Sequence, residues 1–197
     1  MIPIIILAAG EASRMSQPKQ LMRLQVQSLI GRAVQTDQSV SEKVVVVTGA
    51  HHKLVEKDIA HLDVMTAHNS NWRTGMGSSI RVGIQNILIC ASNCNAIIIM
   101  LCDQPFVSPS LLRQLIALQQ QTDKTIIASA YRGTVGVPAL FDKSLFFELT
   151  ALDGQVGAKH IMSRFASQVT SVDFAEGIYD VDTPEDFNRI KEIFTNL

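Results

Sequence analysis

Long apolar runs, cysteines and an excess of charge of either sign are all scarce in this chain. The longest apolar run, Ala96 to Cys102, is a third of the roughly 20 residues that cross a bilayer. Ile2 to Leu7 is too short for a secretory core and has no basic leader. No membrane partner is expected, and the expected location is cytoplasmic. Seventeen Lys and Arg nearly balance eighteen Asp and Glu. No basic stripe interrupts that balance, which argues against nucleic acid as a partner. A small phosphate ligand remains open, because it needs only local charge. The three cysteines (Cys90, Cys94, Cys102) are too few and odd in number for a disulfide framework. Cys90 and Cys94 stand at helical spacing, but the five histidines are scattered and offer no second ligand pair. Buried, apolar cysteine is the better reading.

Common catalytic fingerprints are missing too. Ile4-Ile5-Ile6-Leu7 runs into the small turn Ala8-Ala9-Gly10, followed by Arg14 and Lys19. A dinucleotide fingerprint needs glycines where Ala12 and Met15 stand, and a Walker loop needs Gly-Lys where Met15-Ser16 stands. No Gly-x-Ser-x-Gly elbow is present, which disfavours a serine hydrolase.

What is there is a strand–helix alternation. Of the 197 residues 47% are apolar, enough for one well-packed domain spanning 1–197. Strands are expected at Ile2–Leu7, Lys43–Thr48, Val64–Ala67, Ala96–Leu101 and Thr125–Ala130, with shorter ones near Val137–Phe141 and Ile178–Asp180. Unbroken Val/Ile runs suit parallel strands covered on both faces. Ser108-Pro109 and Thr183-Pro184 are helix starts. The alternation predicts an α/β fold with a right-handed parallel sheet. Ligands of such sheets bind beyond the carboxyl ends of the strands.

Three segments fall at such ends. Backbone N–H groups of Ala8, Ala9 and Gly10, with Arg14 and Lys19, can hold phosphate; the same stretch also reads as an ordinary turn with two solvated cations. Asp103 is either a Mg²⁺ ligand or the cap of the turn that follows. Asp182 is a second candidate carboxylate, with Asp180 competing for the role. Asn69, Trp72, Gly75, Ser78 and Ser79 lie in a polar, Gly-bearing loop that either contacts ligand or only caps the helix behind it. Asp153-Gly154…Gly157-Ala158-Lys159 is a second Gly-rich helix entry that can receive an anion or serve as a tight connection.

Together these segments resemble a known family. Leu7-Ala8-Ala9-Gly10…Arg14-Met15…Lys19 is similar to the nucleotidyltransferase signature, and Leu101-Cys102-Asp103-Gln104-Pro105 to that family's metal-binding strand end. Asn69…Trp72…Gly75-Met76…Ser79, Gly136-Val137-Pro138, Leu152-Asp153-Gly154…Gly157-Ala158 and Asp180-Val181-Asp182-Thr183-Pro184 resemble the molybdenum cofactor cytidylyltransferase branch. Ser16, where the signature has Gly, Glu11 inside the loop, and Lys159, where the branch often has Arg, are departures. The resemblance implies a single three-layer α/β/α domain with a mostly parallel, Rossmann-like sheet of the nucleotide-diphospho-sugar transferase type. It implies transfer of CMP from CTP to the terminal phosphate of molybdopterin, with Mg²⁺ and release of pyrophosphate. In that scheme Arg14, Lys19 and Asp103 are catalytic. Leu7, Ala8, Ala9, Gly10 and Ser79 join Arg14 and Lys19 in holding the nucleotide. Asn69, Trp72, Gly75, Asp153, Gly154, Gly157 and Lys159 frame the acceptor, and Asp103 and Asp182 hold the metal. Ala9, where guanylyl enzymes tend to have Gly, resembles the cytosine-using type. A recipient molybdoenzyme would take the product. The alternatives are a sugar or polyol phosphate as acceptor, or a molybdopterin-binding chaperone without nucleotidyl transfer.

Overall fold

The computed structural model describes residues 2–15 and 17–195, so Ser16 lies outside the described residues. The chain opens with β1 (Ile4–Ala8) and a small hairpin of β2 (Arg23–Leu24) and β3 (Gln27–Ser28), then α1 (Leu29–Gln38). β4 (Val44–Thr48), α2 (His52–Ile59), β5 (Met65–His68), α3 (Met76–Cys90) and β6 (Ala96–Leu101) follow. α4 (Pro109–Gln120), β7 (Ile126–Tyr131), β8 (Thr134–Asp142), α5 (Phe146–Thr150), α6 (Ala158–Arg164), β9 (Val169–Asp173) and α7 (Pro184–Thr195) complete it.

Seven strands form one sheet in the order β5-β4-β1-β6-β8-β7-β9. β1 pairs in parallel with β4 and β6, β4 with β5, and β7 with β9. β8 alone among these strands runs against its neighbours β6 and β7. The sheet is therefore mostly parallel, as expected, and β8 is its antiparallel member among the described strands. The reason is local: Arg132 (φ 50°) and Gly133 (φ 69°) turn the chain straight back in a two-residue hairpin.

Both faces of the sheet are covered, giving three layers. Alternate residues of β1 divide between them. Ile4 and Ile6 pack with Ile30, Val34, Val55 and Leu112 from α1, α2 and α4, whereas Ile5 and Leu7 pack with Ile80, Ile84 and Ile87 from α3. The helix starts behave as their sequences require. Ser28 and Ser108 accept from the backbone N–H groups of Gly31 (3.0 Å) and Leu111 (3.2 Å). At the last helix, Thr183 and Asp186 bond each other's backbone N–H reciprocally, at 3.2 and 3.0 Å. The Thr183 hydroxyl, which donates to Asp186 Oδ2 at 2.8 Å, and then the Thr183 N–H hold the Asp186 carboxyl below its ordinary range.

One strand expectation fails, and one strand was not expected. Ile178–Asp180 is not a strand: residues 175–178 form a 3₁₀ turn, and residues 179–182 have no regular secondary structure. The last strand lies earlier, at β9, whose Val-Thr-Ser-Val-Asp has no apolar run because it is a half-exposed edge. A third apolar cluster joins Met22, Leu24 and Leu29 to Val181, Phe187, Ile190 and Phe194. It docks α7 and the segment before it beside the carboxyl end of β6.

Candidate active site

The carboxyl ends of β1 and β6 lie side by side, Leu7 opposite Leu101. Asp103, two residues beyond that point, is 8% exposed. Val181 is fully buried, and its N–H donates to the Asp103 carbonyl at 3.0 Å. With Val181 fixed inward, Asp180 and Asp182 flank Asp103. Lys19 stands on a 3₁₀ turn, Lys19–Leu21, that follows the first loop. Its Nζ bonds Asp103 Oδ2 at 2.5 Å and Asp182 Oδ1 at 2.9 Å.

This cluster has unbalanced electrostatics. Burial works against the Lys19 ammonium, but Asp103 and then Asp182 outweigh it and raise its pKa. Lys19 is therefore a fixed cation at neutral pH. Burial, and then the charge of Asp103, push Asp180 up to about 6, with Gln104 opposing through a hydrogen bond. Burial pushes the Cys102 thiol up to about 12, which leaves it a packing residue. Asp103 Oδ1 and Asp180 Oδ1 are buried and without hydrogen-bond partners.

Those orphaned oxygens fit a hard divalent cation. No group of three His, Cys, Asp or Glu side chains among the described residues makes a ready metal cage. One or two carboxylates completed by phosphate oxygens and water is the set that Mg²⁺ and similar ions take.

A cavity of about 330 Å³ opens beside the cluster. Leu7, Ala8, Ala9, Gly10, Lys19, Asp103, Trp72, Gly75 and Ser79 line it, so loops read separately in the sequence meet in one cavity. Glu11, Gln20, Arg73, Met76, Leu101, Cys102 and Gln155 line it as well; Glu11, Met76, Leu101 and Cys102 stand inside the sequence motifs, but sequence reasoning assigned none of the seven to the site. Arg73 follows Trp72 directly and stacks on its ring, 4.4 Å from the centroid. Asn69 is buried behind the wall and donates to Ser78 Oγ at 2.8 Å and Ser79 Oγ at 2.9 Å. Gly75 has φ 120°, and a Cβ there would fall 1.9 Å from the Gly154 carbonyl oxygen. That contact seats the Asp153–Gly157 turn on the start of α3, where Gly157 also meets Met76.

Other predicted residues are placed elsewhere. Arg14 is exposed on the loop and is not among the lining residues. Asp153 is exposed and accepts from the Gly154 N–H at 2.8 Å. Asp182 is half-exposed and reaches the cluster through Lys19. Lys159 lies on α6 beside a separate depression with Met162 and Val169.

The mostly parallel seven-stranded sheet covered by helices is an α/β fold of the nucleotide-diphospho-sugar transferase-like type. The chain belongs to the MobA-like NTP transferase domain family, whose model matches residues 4–169. It is a nucleotidyltransferase. The molybdenum cofactor cytidylyltransferase of Escherichia coli (strain K12) is 22% identical over 197 residues, covering 100% of this chain and 98% of that protein. A nucleotidyl transferase from Methanothermobacter thermautotroptrophicus superposes with a TM-score of 0.83 at 24% identity, covering 100% of this chain and 98% of the other. The Rv0371C protein of Mycobacterium tuberculosis H37Rv, in a complex with manganese, superposes with a TM-score of 0.74 at 26% identity, covering 97% and 98%.

Proposed function

We propose that the chain transfers CMP from CTP to the terminal phosphate of molybdopterin and releases pyrophosphate, with Mg²⁺ as the metal. The observation that carries the reading is Lys19 held between Asp103 and Asp182 at the mouth of a cavity whose other wall is the Ala8–Gly10 loop. The E. coli relative named above supports the choice of nucleotide and acceptor.

Ala8, Ala9 and Gly10 meet the triphosphate through backbone, and Arg14 and Lys19 neutralise it. Asp103 would hold the metal with Asp182 as the second carboxylate, Asp180 competing for that role through its unpartnered Oδ1, and the metal would supply charge neutralisation at the α-phosphate. An oxygen of the acceptor phosphate attacks the α-phosphorus in line, and the bond to the bridging oxygen breaks. Lys19 stabilises the departing pyrophosphate. The acceptor phosphate is already a nucleophile, so positioning and charge do the work and no general base is needed. Ser79, braced by Asn69, faces the nucleotide. The rim made by Trp72, Gly75 and the turn through Asp153, Gly154 and Gly157 frames the acceptor. Lys159 has no part in this scheme, given its place on the far depression.

The test is pyrophosphate release from CTP, GTP and UTP, each with molybdopterin and with sugar phosphates. Turnover of CTP with molybdopterin is expected. Turnover with a sugar phosphate alone would move the acceptor, and binding of molybdopterin without any pyrophosphate release would make the chain a carrier.

A further inference from the structure

The loop proposed to hold phosphate is shaped by donors outside it. Four successive carbonyl oxygens are each engaged. Ala8 O accepts from Gln20 Nε2 at 3.1 Å, and Gly10 O accepts from the same nitrogen at 2.8 Å. Ala9 O accepts from the Ala50 N–H at 3.1 Å. Glu11 O accepts from His51 Nε2 at 3.0 Å. In a trans peptide the N–H is directed opposite to the carbonyl, so each of these units turns its N–H away from the donor that holds its carbonyl. Among the described residues, no backbone or side-chain acceptor takes the N–H of Gly10, Glu11 or Ala12. A row of free N–H donors is the form of a phosphate cradle.

Gln20 is the centre of this clamp. It is 1% exposed, and both of its bonds come from one amide nitrogen, which fixes the amide orientation and leaves Oε1 without a partner. A buried amide with an unsatisfied oxygen is costly, and packing alone would favour an apolar residue there. Gln20 also follows Lys19 on the same 3₁₀ turn. The turn thus holds the carboxylate cluster with one residue and the loop with the next.

We propose that Gln20, seconded by His51, is a positioning residue that presets the loop's backbone donors for the polyphosphate of the nucleotide. The inference rests on the reading that this loop holds the nucleotide phosphates. Gln20 touches no reacting atom and acts through Ala8 and Gly10. A preset cradle spares the binding step the ordering of the loop.

The chain's only tryptophan, Trp72, lines the same cavity, so its fluorescence reports ligand there without turnover. CTP and inorganic pyrophosphate, each with Mg²⁺, are the probes. Gln20→Met keeps the volume and removes the donors. It should raise the dissociation constant for both probes about tenfold to thirtyfold, the worth of two hydrogen bonds. In steady state the KM for CTP should rise by a similar factor while kcat changes less than threefold, because Lys19 and Asp103 are untouched. His51→Ala, at a helix start where folding is not at stake, should give about a threefold effect in the same direction. Thermal melting checks that Gln20→Met is folded. Equal binding of both probes by wild type and Gln20→Met overturns the positioning role while leaving the nucleotide reading intact. Failure of the wild type to bind CTP overturns both. A fall in kcat with unchanged KM also overturns it, since that pattern belongs to a group acting in the transition state.

Discussion

The two oxygens of Asp103 have different surroundings, and that difference sets what a substitution does. Oδ2 is bonded to Lys19, whereas Oδ1 is buried with no partner. Asp103→Asn keeps the shape and loses the charge a cation requires. Pyrophosphate release should fall about a hundredfold or more, the scale of losing a preset electrostatic contact at a reacting phosphate. The circular dichroism spectrum should stay that of the wild type. A normal rate would remove Asp103 from the metal site. Asp37, at the end of α1, carries a separate prediction about stability. It is fully buried, neither carboxylate oxygen has a partner, and burial raises its pKa well above the ordinary value. A raised folded pKa means the folded state holds the proton more tightly. Its stabilising contribution is complete below the unfolded pKa of about 4 and is lost as pH rises through the folded pKa. Asp37→Asn cannot ionise and escapes that loss. Urea unfolding should show the variant gaining stability on the wild type as the pH rises from acid to neutral. Parallel curves would mean that Asp37 is not held protonated. Asp103 could be read from the sequence, because it ends an apolar strand beside a proline. Asp37 and Gln20 could not, because polar residues in those positions are usually solvated, and only tertiary packing buries them.

The strands that carry the site were legible for a simple reason. β1, β4 and β6 are covered on both faces, so burial writes an unbroken Val/Ile run into each. β9 carries no such mark, because it is a half-exposed edge, and the Ile178–Asp180 stretch imitates a strand while forming a tether. What the tether does is set by one apolar residue between two carboxylates. Val181 packs into the cluster of Met22, Leu24 and Phe187 while its N–H holds the Asp103 carbonyl. Val181→Ala removes two buried methyl groups and should cost about 2 kcal/mol in urea unfolding. It should also weaken nucleotide use, since Asp180 and Asp182 lose their anchor. A variant with the stability loss but wild-type kinetics would show that the tether positions nothing. The β7–β8 reversal was hidden for another reason. Arg132-Gly133 is a good hairpin turn, but it joins two apolar strands that look like the parallel ones around them.

At the scale of the whole molecule, the site exists only because distant parts of the chain converge. Lys19 meets Asp103 from 84 residues away and Asp182 from 163. The first loop, the end of the central strand and the segment before the last helix are thereby tied at one point by a single ammonium. Three carboxylates share that point, and without Lys19 their mutual repulsion is unrelieved. Lys19→Met keeps the aliphatic stem and deletes the charge. In a chelator it should unfold about 3 kcal/mol more easily than the wild type, the usual loss when one partner of a buried pair is removed. The half-exposed Asp182 contributes little of that figure, because solvent screens it. Adding Mg²⁺ should then narrow the gap between the two proteins. In the wild type the ammonium already neutralises Asp103, and a cation must compete with it. In Lys19→Met the carboxylates are free to take the metal, and whatever binds only the folded state raises its melting temperature. The variant should therefore gain more from millimolar Mg²⁺ than the wild type does, although it turns over nucleotide more slowly. Thermal melting of both proteins, with chelator and with Mg²⁺, measures all four states. An equal Mg²⁺ gain in both would mean that Lys19 and the metal do not share these oxygens. The carboxylate cluster would then be a structural ion pair, and the metal would be held elsewhere in the cavity.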